Sequence, residues 1–238
     1  MADQGRAADG RGAGSGLLSW LKEIGLIVVI ALVLSSLLRA FVVQVFWIPS
    51  ESMHDTLVEG DRVAVSRISQ WTGDIHRGDV VVFDDTLGWL PAIQDGGAAG
   101  ALRDIGEFVG LVPDNGEQTL VKRVIGVGGD HVTCCTASGR IAVNGVALDE
   151  PYLAAGQSPS TTPFDVTVPE GTVWVMGDNR GHSADSRAHL AAGQTAFVPV
   201  SSIVGRARWV IWPLDHWASL GGREVFDAVP DASSGGGQ

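Results

Sequence analysis

The apolar residues fall in one long block, followed by short alternations. From Leu17 the chain turns apolar, Ile24 to Leu38 carries no charge, and after Arg39 the run resumes from Ala40 to Ile48. Fifteen uncharged helical residues cover about 22 Å, short of a hydrocarbon core of about 30 Å. With the apolar flanks included, and Lys22 and Arg39 snorkelling to opposite head-group layers, the block predicts a membrane-spanning anchor over 17–47. Trp20 and Trp47 then fall near the two interfaces. Arg39-Ala40-Phe41-Val42 offers no small-x-small cleavage pair, so an anchor is expected rather than a removable leader. Residues 1–16, rich in Gly, Ala and Arg, have no apolar period and are expected to be disordered. Arg6, Arg11 and Lys22 precede the block and only Arg39 follows closely. The positive-inside rule therefore puts the N-terminus in the cytoplasm and the rest of the chain outside.

Beyond the block the pattern is β-rich, and the extracytoplasmic domain is drawn at 48–220. Asp61–Val65 and Asp79–Phe83 read as strands, each preceded by Gly. Thr119–Ile125 is a third, with Leu120, Lys122 and Val124 on one face. Residues 84–117 read as an insertion in which Leu102, Ile105, Phe108 and Val109 fall at helical spacing. An accessory β region spans 131–172: His131–Cys135 and Arg140–Val143 predict a hairpin, and Asn144-Gly145 is a further turn signal. Thr172–Met176 reads as a buried strand running into Gly177–Arg187, dense in turn formers and charges. Ile203–Trp212 is the last strand region, and 221–238 is expected to be a flexible tail.

Composition narrows the functional classes. The chain has 238 residues and a net charge of −11, which makes nucleic acid an unsuitable partner. No phosphate-binding loop, dinucleotide fingerprint or G-x-S-x-G elbow occurs. The two cysteines, Cys134 and Cys135, are adjacent. They lack metal-like spacing, so no metal or other cofactor is expected. A vicinal disulfide, two thiols or an intermolecular bond all fit the sequence.

The candidate chemistry starts at Ile48–Leu57, IPSESMHDTL, just past the anchor. It reads either as a polar turn after a membrane helix or as the seat of a nucleophilic serine, Ser50 or Ser52. A serine needs a base. Of 16 basic residues only Lys22 and Lys122 are lysines, and arginine does not give up its proton. Lys122 is the one lysine beyond the anchor, and its apolar neighbours favour the neutral amine.

These stretches resemble the bacterial type I signal peptidases, serine peptidases with a Ser-Lys dyad. The family's P-S-x-S-M-x-P-T-L run reads here Pro49-Ser50-Glu51-Ser52-Met53-His54-Asp55-Thr56-Leu57. K-R-V-I-G-x-x-G-D is unbroken at Lys122–Asp130, and G-D-N-R-x-x-S-x-D-S-R at Gly177–Arg187. Gly60–Val63, Arg77–Val81, Val143–Gly145 and Glu150–Leu153 also fit, so the likeness covers nearly the whole chain after the anchor. One departure is Asp55, where the family has proline. It loosens the turn and, with His54 before it, raises a Ser–His alternative. Residues two apart on an extended chain share a face, so spacing alone does not settle the matter, and His54 is set aside as the base in favour of Lys122.

The resemblance implies a mostly-β fold: one transmembrane helix, then a coiled-β-sheet peptidase domain. It implies Ser52 as nucleophile, Lys122 as general base, and Ser50 with the Ser52 N–H as oxyanion hole. Ser183 orients the lysine, Asp185 and Arg187 form a supporting ion pair, and Asp178 is structural. Ile48, Met53, Leu57 and Val121 line substrate pockets. The implied substrates are signal-peptide-bearing preproteins, cut at the outer face of the cytoplasmic membrane, with the lipid bilayer as a further partner. Competing readings are a Ser–Lys self-cleaving regulator, a membrane-anchored β-domain serving as a scaffold, and a maturation peptidase for a narrow substrate.

Overall fold

The computed structural model describes residues 13–91 and 118–232. The expected stripe of Leu102, Ile105, Phe108 and Val109 lies outside the described residues. Helix α1 runs from Ala13 to Phe41, 29 residues, or about 43 Å at the α-helical rise. Within it, Ser19–Ser36 has mean hydropathy 1.8, is long and apolar enough to cross a membrane, and is buried nowhere by the rest of the protein. The helix starts at Ala13, inside the stretch expected to be disordered. It also ends earlier than the apolar block: Val43–Trp47 is a strand, β1, and not the last turns of the anchor. β-Branched and aromatic residues in Val43-Gln44-Val45-Phe46-Trp47 suit a half-buried strand, and Phe46 is its buried member.

The remaining strands in chain order are β2 (Arg62–Ser66), β3 (Val80–Asp84), β4 (Thr119–Val127), β5 (His131–Cys134), β6 (Ala142–Val143), β7 (Val146–Ala147), β8 (Phe164–Thr167), β9 (Thr172–Met176), β10 (Val198–Pro199), β11 (Ile203–Trp212) and β12 (Ala218–Ser219). Among the described residues two short α-helices join them, α2 (Ile68–Thr72) and α3 (Ser186–Ala191). All pairings are antiparallel. The main sheet has the order β1-β2-β11-β3-β4-β9-β10, with β12 added to β11, and a smaller one has the order β7-β6-β5-β8. Irregular register in β11 between Ile203 and Gly205, Ala207 and Trp209, and Val210 and Trp212 marks bulges, which bend a strand and raise its twist.

Alternation along β3 shows how the core is divided. Val80 and Val82 join a cluster with Phe46, Ile48, Met53 and Leu57, whereas Val81 and Phe83 face Val124, Val173 and Ile203. Period-2 alternation with both faces apolar is the pattern of a central, doubly covered strand. A third cluster, around Trp174 and Ile125, joins the two sheets through Val132, Phe164 and Val166. Phe226 and Val229 belong to it too, and Arg223 pairs with buried Asp79. Residues 221–232 are therefore folded onto the domain, contrary to the flexible tail expected there, because two apolar side chains remove surface from water that a free tail would leave exposed. Asn144 and Gly145 both have positive φ, as a two-residue hairpin between β6 and β7 requires. Cys134 and Cys135 form a disulfide.

Candidate active site

The first candidate side chain sits in a short, tightly tied loop. The backbones of Ile48 and Asp61 close its base (Ile48 N to Asp61 O, 2.9 Å; Gly60 N to Ile48 O, 2.9 Å). Within it, Ser50 is extended and Glu51–Met53 make one 3-10 turn. Met53 is buried in the apolar cluster and fixes the turn from below. A type II turn follows: Thr56 N donates to Met53 O at 3.0 Å, His54 lies at φ −51°, ψ 148°, and Asp55 at φ +71°. Type II geometry needs positive φ at that third residue, a value closed to proline, whose φ is held near −65°. The Asp55 carboxylate accepts a hydrogen bond from Ala155 N at 2.8 Å, tying the turn to the loop before β8.

Lys122 comes to this loop from β4, directly across from Val81 of β3. It is 2% exposed and Ser52 is 7% exposed. Its Nζ lies 2.7 Å from Ser52 Oγ and 3.0 Å from Val121 O. As an ammonium, Lys122 donates to both oxygens. As a neutral amine it keeps a proton for Val121 O and turns its lone pair to the Ser52 hydroxyl, which then donates. Burial lowers its pKa from the usual 10.5 to about 8, with the Asp185 and Asp178 carboxylates pulling the other way. Lysine deep in apolar surroundings loses hydration of its charged form, so the neutral amine gains. Ser50 Oγ lies 3.4 Å from Ser52 Oγ, longer than a good hydroxyl–hydroxyl hydrogen bond. His54 is half-exposed and directed at Asp55 (3.6 Å).

Around the pair lies a buried scaffold of ions. Asp185 caps α3, accepts two bonds from the Arg187 guanidinium (2.9 and 2.7 Å) and one from Gly177 N (3.0 Å). Asp178 takes a fork of two bonds from Arg123 (2.8 and 2.6 Å) and one from the Thr56 hydroxyl (2.6 Å). Arg123 stacks on Tyr152, 3.9 Å from its ring centre. Ser183 Oγ is buried without a hydrogen-bond partner, Lys122 included. It lies against Gly177, where an added Cβ would collide with both Ser183 Oγ and Ser52 O. Ile48, Met53 and Leu57 are 2%, 1% and 0% exposed; of the four residues expected to line pockets, only Val121 keeps appreciable surface.

Sequence reasoning missed Asn179. Its backbone N–H donates to Ser52 O (3.1 Å) and its side-chain amide to Glu51 O (3.0 Å), so it holds two carbonyls of the 3-10 turn. Arg123, Thr56 and Tyr152 were likewise not singled out. The only signal was their place inside or beside the matched runs. The site as built can deprotonate a serine hydroxyl with an adjacent amine and hold both against rigid, fully paired ion pairs.

Comparison with known proteins places the chain in a family. Residues 19–212 match the family model described as signal peptidase, peptidase S26. The signal peptidase I of Mycobacterium tuberculosis is 41% identical over 222 residues, covering 84% of this chain and 75% of that one. The probable signal peptidase I of Mycobacterium leprae is 37% identical over 233 residues, 85% of this chain and 80% of that one. The signal peptidase I S of Bacillus subtilis is 31% identical over 210 residues, 84% and 91% of the two chains.

Proposed function

The chain belongs to the signal peptidases of peptidase family S26, and we propose that it removes signal peptides from secreted preproteins with Ser52 as nucleophile and Lys122 as general base. The observation that carries this reading is the 2.7 Å approach of Lys122 Nζ to Ser52 Oγ in a buried setting that lowers the amine to about 8. Ser52 Oγ attacks the scissile carbonyl carbon as its proton passes to Lys122 Nζ. The oxyanion is held by the Ser52 N–H and the Ser50 hydroxyl, in the manner of an oxyanion hole. When the C–N bond breaks, the Lys122 ammonium returns the proton to the leaving amine. Lys122 then takes a proton from water, whose oxygen attacks the acyl-Ser52 ester, and as the ester C–O bond breaks the ammonium returns that proton to Ser52 Oγ, freeing the signal peptide. Ser183, whose hydroxyl has no partner among the described residues, packs against Gly177, and Asp178, Asp185 and Arg187 hold the scaffold rigid.

Two backbone edges fit the acyl half of the substrate. Among the described residues β1 is an edge strand, and residues 119–122 of β4 pair only with β3, because pairing with β9 begins at Arg123. An extended segment pairs with such edges by strand addition. Val121 stands beside them over the apolar cluster of Ile48, Met53 and Leu57, a lining suited to small side chains.

Membrane placement follows from two features: the apolar span of α1 and an exposed aromatic patch. Trp47 and Trp212 both pair with Arg62, from opposite sides, and with Leu214 and Trp217 they stay 41–67% exposed. Aromatic residues of this kind favour the bilayer interface. We place the domain on the outer face, with the N-terminus inside and the site near the bilayer surface, where enzyme and substrate share two dimensions. The test is incubation of the full chain, in lipid vesicles, with a secreted preprotein, followed by sequencing the new N-terminus. The reading expects one cut after a small-x-small segment; an intact preprotein contradicts it.

A further inference from the structure

A concavity opens next to the 3-10 turn that carries Ser52. It measures about 330 Å³ and is walled by Glu51, His54 and Asp55 of the nucleophile loop, Ala155 and Gln157 of the loop before β8, and Asn179 with His182. No residue of β1 or β4 lines it. In a 3-10 turn, side chains three apart eclipse, so Glu51 and His54 share one face while Ser52 and Met53 between them are buried. The floor, Asn179, is the residue that donates to Ser52 O and Glu51 O.

The cavity is acidic. Glu51 and Asp55 contribute two carboxylates. The nearest guanidiniums are already engaged in buried pairs, Arg180 with Glu150 and Arg187 with Asp185, so neither is directed into it. Asp55 uses Oδ2 for Ala155 N and faces His54 with Oδ1, and Glu51 is exposed at the rim.

We propose that this cavity receives the first residues of the mature chain, those just after the scissile bond, and that Glu51, with Asp55 behind it, selects basic over acidic side chains there. The inference rests on the peptidase reading above and deepens it. A peptide attacked by Ser52 must leave on the side of the serine opposite its acyl half. If the acyl half lies along β1 and residues 119–121, the leaving half emerges over Glu51. Charge complementarity at a solvated rim changes rates modestly, and a charge reversal in the substrate counts twice, once as lost attraction and once as added repulsion.

The test uses the full chain in vesicles and one preprotein in three forms, whose second and third mature residues are both Lys, both Ala or both Glu. Assays run at pH 8, where a free imidazole is neutral. The wild-type enzyme is expected to show kcat/KM in the order Lys, Ala, Glu, with Lys over Glu by about tenfold. In Glu51→Gln the Lys-to-Glu ratio is expected to fall to about threefold or less, and in Glu51→Lys to invert. These are ratios within one enzyme preparation, so a partly misfolded variant does not alter them. Equal rates on all three substrates by an enzyme that cuts the Ala form overturn this inference and leave the peptidase reading standing, as does a wild-type preference that both Glu51 variants keep. Failure of the wild type on the Ala form overturns both.

Discussion

In the proposed mechanism Lys122 governs the chemistry of a single residue pair and also sets how that pair responds to pH. An exposed lysine at neutral pH is deprotonated in about one molecule in a thousand or fewer. With a pKa of about 8, about one in ten is neutral at pH 7. The account therefore expects kcat/KM on a fixed preprotein to rise about tenfold per pH unit below about 8 and to level off above it; a flat profile from pH 6 to 9 contradicts the lysine base. The same burial has a stability consequence of definite sign. The folded pKa is depressed, so between about 8 and 10.5 the unfolded chain binds more protons than the native one, and stability rises with pH across that window. Below it the charged amine is buried at a cost. Lys122→Met is expected to be inactive yet more stable at pH 7, by up to about 3 kcal/mol, with the gain fading as pH climbs towards 10.5. Denaturant titration of both proteins at pH 7 and pH 10 checks this.

At the scale of elements, three pieces distant in sequence converge: the loop after β1, the strand β4, and the run between β9 and α3. Gly177 is where the first and the last of these touch. A Cβ there would meet Ser52 O and Ser183 Oγ, so Gly177→Ala is expected to displace the nucleophile turn. A shift of about 1 Å costs on the order of a hundredfold in rate; steady-state kinetics should show that loss in kcat with KM little changed. The proposed dyad could be picked out from the sequence because each member sits in a run carrying a recognisable pattern, and because Lys122 has no rival lysine beyond the apolar helix. The clamp could not. Asn179 on Ser52, and Arg123 and Thr56 on Asp178, are contacts across 55 to 127 residues of chain, and nothing local distinguishes these side chains from ordinary loop polar groups. β1 was missed for the opposite reason. Val43–Trp47 continues an apolar block without a break, and a short apolar run does not reveal by itself whether it is helix or strand.

At the scale of the whole molecule, the chain divides between an apolar helix, long enough to cross a membrane, whose span the rest of the protein does not bury, and two antiparallel sheets. The mostly-β class and the N-terminal apolar helix were legible from pattern and resemblance. The fold of the C-terminal segment was not, since Val225-Phe226 and Ala228-Val229 are two short apolar pairs among Gly, Asp and Pro, with no helical or strand period. The burial of Phe226 and Val229 in the cluster that joins the two sheets makes that segment a structural closure. Phe226→Ala is expected to cost about 3 kcal/mol, the lower end for truncating a buried phenylalanine, measured by thermal or denaturant unfolding; an unchanged midpoint would mean the segment is detached in solution.

The dyad is the centre of the account, and cleavage of one preprotein in lipid vesicles by wild type, Ser52→Ala, Lys122→Arg and His54→Ala tests it most directly. The account predicts that wild type and His54→Ala cut after the small-x-small segment and that the other two do not, because arginine keeps the charge of Lys122 but yields no free base. Full activity in Lys122→Arg, or its loss in a folded His54→Ala, would contradict it.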